Sequence, residues 1–229
     1  VIIADDSNDD ELINEDELNG DIQAVVSLPS NIAAGDTVTI TDGNGGSQDV
    51  ILTAAEATNG FIIVVIPNPG DGGTINVTAN VTDVAGNVGP DSNTDNALLD
   101  LTDPSAPTVE ITEDTNNDGI ISETELTGDI DARVTLVGPT FEGDTVTVTD
   151  GNGNSQDVVL TAADVANGFI DVVIANPGDG NTIVVTANLT DVAGNVGPDS
   201  ATDTGLMDIS APSAPLVEIA EDVNNDGLI

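Results

Sequence analysis

The chain has no cysteine, histidine, tryptophan or tyrosine, and its one basic residue, Arg133, leaves it without lysine. Each absence excludes something. Without cysteine there is no disulfide framework, so in an oxidising exterior metal ions are the staples that remain. Without His, Cys and Lys, most general bases and nucleophiles are missing. Paired carboxylates can hydrolyse glycosides, but a sugar site wants aromatic platforms, and Phe61, Phe141 and Phe169 are the only aromatics here. No enzyme is expected. The 42 acidic residues against one arginine give a formal charge of −41. Nothing in the chain can neutralise phosphates, which excludes nucleic acid as a partner and argues against direct contact with anionic membranes. No apolar run approaches the length of a membrane span, and no signal peptide opens the chain, as expected of an excerpt from a longer array. Such acidity ordinarily signals disorder, yet 38% of the residues are hydrophobic and fall into regular patterns. Self-repulsion opposes a compact state, so folding should lean on screening or on bound cations.

What is present repeats. Gly35-Asp-Thr-Val-Thr returns as Gly143-Asp-Thr-Val-Thr, Thr82-Asp-Val-Ala-Gly-Asn as Thr190-Asp-Val-Ala-Gly-Asn, and Pro104-Ser-Ala-Pro as Pro212-Ser-Ala-Pro, each 108 residues on. A period of that size means whole domains in tandem rather than a solenoid. The expected units are 1–103, 104–211 and the start of a third at 212–229.

Within each unit the hydrophobic period is two. Ile130, Ala132, Val134 and Leu136 alternate with Asp131, Arg133 and Thr135, as Ile22, Ala24, Val26 and Leu28 do in the first copy. Ile63 becomes Asp171 while its neighbours stay apolar, which turns position 63 to water. Turn signals such as Asp42-Gly-Asn-Gly, Asn59-Gly and Asn68-Pro-Gly-Asp-Gly separate the strands. Thr53-Ala-Ala-Glu-Ala-Thr can make one helical turn before Gly60. The fold class is all-β: tandem immunoglobulin-like β-sandwiches of about seven strands each, joined by short proline-containing linkers. Phe61 and Phe169, at equivalent positions, are expected to pack at the start of the fifth strand.

One motif carries chemistry. Asp114-Thr-Asn116-Asn-Asp118-Gly119-Ile-Ile-Ser122-Glu-Thr-Glu125 matches the calcium loop D-x-[DN]-x-[DN]-G-x₅-E. The ligand set is Asp114, Asn116, Asp118, the Ile120 carbonyl, Ser122 and Glu125. The first copy offers Asp6, Asn8, Asp10, Leu12, Asn14 and Glu17, with Glu11 in place of the glycine; Asp222, Asn224 and Asp226 begin a third. No helices flank these loops, so each lies between the first two strands of a sandwich, with Ser122–Glu125 as one turn. A solvated acidic turn is the plainer reading, and threefold recurrence of the ligand types weighs against it. Asp83 and Asp191, in the Thr-Asp-Val-Ala-Gly-Asn turns, either cap backbone amides or also face a cation at the domain junction. The loop at 6–17 should lie beside the linker and face Asp191, with Asp100 or Asp103 contributing to a calcium site there.

With the 108-residue repeat, the Asp-x-Asn-x-Asp-Gly loop, the Thr-Asp-x-Ala-Gly-Asn turn and the Ala-Pro linker together, the chain resembles the tandem bacterial Ig-like extender repeats of large RTX-type adhesins. That resemblance implies Ca²⁺ as cofactor and neighbouring repeats of the same chain as partners. It further implies a monomeric rod on the bacterial cell surface that projects an adhesive tip. The alternative is an Ig-like module recognising a sugar or protein through its pole loops. Near-identical loops and the lack of an aromatic cluster weigh against that alternative.

Overall fold

Alternating β-branched and polar residues make half-buried strands, and the computed structural model, which describes residues 1–217, 219–221, 223, 226 and 227, is built from them. The first half contains β1 (Ile2–Ile3), β2 (Leu12–Ile13), β3 (Ile22–Ser27), β4 (Thr37–Thr41), β5 (Ser47–Ile51), α1 (Ala54–Asn59), β6 (Phe61–Ile66), β7 (Thr74–Thr82) and β8 (Asp95–Leu99). The second half repeats the order with β9 (Thr108–Ile111), β10 (Ile120–Ser122), β11 (Ile130–Thr135), β12 (Thr145–Thr149), β13 (Ser155–Val159), α2 (Ala162–Asn167), β14 (Phe169–Ile174), β15 (Thr182–Thr190) and β16 (Asp203–Asp208).

Each half folds as two sheets. A three-stranded sheet, β1-β3-β6 or β9-β11-β14, faces a five-stranded one, β2-β8-β7-β4-β5 or β10-β16-β15-β12-β13. Inward side chains of both sheets form one core per half, from Ile3 to Leu99 and from Ile111 to Met207. A carboxylate stitches the sheets together at one edge. Asp95 Oδ2 accepts from Ile3 N–H at 2.6 Å, and Asp203 Oδ2 from Ile111 N–H at 2.7 Å. Without such a partner a buried amide would cost about 1–3 kcal/mol.

The alternation holds in detail. Ile22, Ala24, Val26, Ile130, Ala132 and Val134 are buried, and Leu28 and Leu136 pack at the core margin. Ile63 stands 58% exposed. Thr53 and Glu56 form a capping box at the start of α1, and Gly60 ends it in the left-handed region at φ 79°.

Two expectations are corrected. The strands number eight per sandwich rather than about seven, because β2 and β10, two or three residues long, pair parallel with β8 and β16. Phe61 is 45% exposed rather than packed. Its counterpart Phe169 lies beneath the Arg133 guanidinium, 3.8 Å from the ring centre, and that guanidinium also grips Asp171 in a bidentate pair.

Candidate metal centre

The acidic loops join the two sheets of each sandwich, running from β1 to β2 and from β9 to β10. Their carboxylates gather backbone amides. Asp114 takes the N–H of Asp118 at 3.1 Å and of Gly119 at 2.7 Å. Asn116 Oδ1 accepts from Asp118 N–H at 2.9 Å, and Asp118 Oδ1 from Ile120 N–H at 2.9 Å. Glu125 closes the ring: Oε2 accepts from the Ser122 N–H and hydroxyl, and Oε1 from the Thr115 hydroxyl. The Ser122 N–H, ahead of its hydroxyl, holds the Glu125 carboxyl below its ordinary value. The turn Ser122–Glu125 is present, with Glu125 and Leu126 both donating to Ser122 O.

The first loop has the same frame. Asp6 accepts from Asp10 and Glu11 N–H, Asn8 Oδ1 from Asp10 N–H, Asp10 Oδ1 from Leu12 N–H, and Glu17 from Ser7 and Asn14 N–H. Glu11 adopts φ 68° where Gly119 has φ 81°. The glycine position therefore keeps its left-handed backbone in both loops, and in the first a β-carbon bears the strain.

The donor set is all oxygen, which suits a hard cation such as Ca²⁺. A carboxylate offers about four lone-pair sites, so amide donation leaves acceptor capacity on each loop acid. Among the described residues no three Asp or Glu side chains gather as a cluster. A cation in either loop would therefore lean on the Leu12 or Ile120 carbonyl and on the Asn8 or Asn116 amide oxygen as much as on carboxylates. Asn14 is turned elsewhere: its Nδ2 donates to Ala193 O at 2.7 Å, and its Oδ1 accepts from Glu17 N–H. Of the third loop, Asp222 and Asn224 lie outside the described residues, and Asp226 within them.

Asn14 points at the junction, where the other expected residues meet. Asp100 follows β8 and donates its N–H to Ile13 O at 3.0 Å. Its carbonyl accepts from Asn195 Nδ2 at 2.8 Å, while Glu15 N–H donates to Asn195 Oδ1 at 3.2 Å. Asn195 is fixed in turn by Asp191, which accepts from its N–H and its side-chain amide, both at 2.9 Å. Asp191 thus caps its turn, as Asp83 does in the first sandwich. Asp103 lines a cleft with Asn14, Glu15 and Asn195.

Sequence reasoning missed Asp144. It is 1% exposed, its Oδ2 accepts from Phe141 N–H at 2.7 Å, and its Oδ1 has no hydrogen-bond partner among the described residues. Burial pushes its carboxyl above the ordinary value; Phe141 and the approaching Val192 N–H pull it down, and Asp191 and Asp100 push it up further. The equivalent Asp36 does reach its amide, Val84 N–H, at 3.2 Å. The available signal was the anchor Gly143-Asp144, an acid leading directly into an alternating, half-buried strand in both copies.

No protein family and no curated protein matches the sequence. Among solved structures, a Ca²⁺-stabilized adhesin that helps an Antarctic bacterium reach out and bind ice is similar at 26% identity and a TM-score of 0.47, over 88% of this chain and 47% of its own. A 1.5-MDa bacterial ice-binding adhesin studied for host cell surface retention is similar at 25% identity and a TM-score of 0.44, over 88% of this chain and 62% of the other. The FN1–FN3 domains of chicken CNTN1 are similar at 15% identity and a TM-score of 0.43, over 81% of this chain and 62% of the other. The chain spans about half the length of the first of these and under two thirds of the other two.

Proposed function

We propose that this chain is a calcium-stiffened spacer: two immunoglobulin-like units, 1–103 and 104–211, with a third begun at 212, in a bacterial cell-surface adhesin. Its work is length and stiffness, holding an adhesive tip away from the cell. Ca²⁺ is held by the loop oxygens of Asp6, Asn8, Asp10, Leu12 and Glu17 and of the stretch from Asp114 to Glu125, and at the joint by Asp191 with one of Asp100, Asp103 and Asp144.

The observation that carries this reading is the link between loop and joint. Within the first ligand stretch, directly after β2, stand Asn14 and Glu15, and those two residues hydrogen-bond the pole of the second sandwich. Whatever fixes the loop fixes the hinge. Extracellular calcium modules bind at about 10⁻⁴–10⁻³ M, so such a joint stiffens after export. Small-angle scattering in millimolar Ca²⁺ and in chelator tests it. A larger maximum dimension with calcium, at unchanged circular dichroism, is expected. Identical distance distributions with both sandwiches folded refute it.

A further inference from the structure

Four strands of five or six residues stand at open sheet edges: β5 and β6 in the first sandwich, β13 and β14 in the second. An open edge is a row of unpaired N–H and C=O groups, a template for another strand unless a charge or a cover blunts it. Three of the four carry an acid at their third residue: Asp49 in β5, Asp157 in β13 and Asp171 in β14. β6 has Ile63 there. In a chain with 42 acids, no charged residue stands between Glu56 and Asp71, and the sheet partner β3 lies in a second uncharged stretch, 22–35.

Leu28 N–H donates to Gly60 O at 2.8 Å, which sets the phase of the ladder between β3 and β6. Ile62, Val64 and Ile66 therefore bond to β3, while Phe61, Ile63 and Val65 turn their N–H and C=O to the open side. Among the described residues those groups meet no partner. The same three side chains line the outer face, 45%, 58% and 54% exposed. A neighbouring unit on either side leaves this place uncovered. β6 is open with the second sandwich behind it, and Val173 of β14 is 58% exposed with the first sandwich ahead of it.

We propose that two copies of this chain pair through β6, antiparallel and centred on Ile63, joining their three-stranded sheets into one. In that register Ile63 lies opposite Ile63 and Phe61 opposite Val65, each pair exchanging two hydrogen bonds, about six in all. The apolar outer faces run on as one surface. A second copy is the partner because an acidic chain repels its own kind elsewhere, and of the four edges only β6 sets no charge against its duplicate. β14 paired with itself would bring Asp171 against Asp171, which destabilises a sheet. The contact is isologous and uses up both edges, so it closes as a dimer rather than growing. A strip roughly 20 Å long covers less than the ~1,200 Å² of stable complexes, so the dimer is weak and reversible. It departs in this from the monomeric rod that the resemblance implies.

The test is sedimentation of the intact chain from about 10 μM to 1 mM, with Ca²⁺ at physiological ionic strength, beside Ile63→Asp and Ile63→Lys. Position 63 is exposed and its twin is an aspartate, so both variants should fold, and melting curves check this. The mass of the intact chain should climb toward twice the monomer value with concentration, while each variant alone stays monomeric. An equal mixture of the two variants should associate again, because opposite charges then face each other at the centre. Hydrogen exchange should show the amides of Phe61, Ile63 and Val65 gaining protection with concentration, and those of Phe169, Asp171 and Val173 unchanged. A chain that is monomeric at the highest concentration overturns the proposal. So does association that survives Ile63→Asp, mass that grows beyond a dimer, or a mixture that stays apart.

Discussion

Glu11 is the most direct place to test whether the first loop is strained. Its φ of 68° lies in the left-handed region, in a loop whose twin places Gly119 at φ 81°. That conformation costs a residue with a β-carbon about 1–2 kcal/mol. Glycine removes the cost but loosens the unfolded chain by about 0.5–1 kcal/mol. Glu11→Gly should therefore stabilise the first sandwich by roughly 0.5–1 kcal/mol, which in a domain of this size is about 2–8 °C in Tm. Calorimetry of the intact chain in excess Ca²⁺ measures it, with Glu11→Gln as the control that removes the charge and keeps the β-carbon. Gly119→Glu is the reciprocal change. A β-carbon there meets nothing closer than Thr204 O at 3.9 Å, so any loss in the second sandwich comes from the backbone. If Glu11→Gln rises as far as Glu11→Gly, charge rather than conformation is at work, and the argument fails.

Asp144→Asn removes a buried charge that lacks one hydrogen bond. Because burial raises the folded-state pKa of Asp144, its charge destabilises at neutral pH and the penalty fades as pH falls through that value. The variant should melt higher in chelator and gain less from Ca²⁺; a lower Tm with an unchanged calcium response refutes this. Asp118→Ala should lower the second sandwich's transition and leave the first in place, since such units contact only neighbours; equal losses in both transitions would show that the damage is not local. Glu125 titrates below an ordinary glutamate because the Ser122 N–H and hydroxyl favour its charged form. Its contribution is present above the unfolded glutamate pKa and is lost as pH falls through the lower folded value. NMR titration of its carboxyl carbon reads this, and a midpoint at or above the model-peptide value refutes it.

Much of the fold was legible because its signals are local. Alternation placed Ile22, Ala24 and Val26 inside, and the Thr53 and Gly60 pair marked both ends of a one-turn helix. Asp42 and Asp83 cap tight turns as their Gly-Asn neighbours suggested. The exceptions have a common cause. Leu12–Ile13 is too short to show a period, and its pairing with Leu98–Leu99 is decided by strands more than 80 residues away. Asn14 fits the ninth ligand position by spacing, yet its amide bonds across 179 residues to Ala193. Asp144 reads as a strand-leading acid, and its burial, shared with the equivalent Asp36, is set by how the chain packs around it rather than by spacing. Side chains that serve the joint answer to a partner that spacing within one repeat does not reveal.

The parallel pairing of β2 with β8, and of β10 with β16, has a mechanical consequence. In the proposed array a pull would enter each sandwich at its first strand and leave through its last. With β2 in place the last strand is flanked on both sides, by β2 and β7 in the first sandwich and by β10 and β15 in the second. Tension then shears two rows of hydrogen bonds together. Were β2 or β10 to detach, the last strand would become an edge held on one side, with a single row opposing its withdrawal. The acidic loop is what delivers that second row, so under the proposed function an ion that firms the loop would also raise the force at which a sandwich lets go.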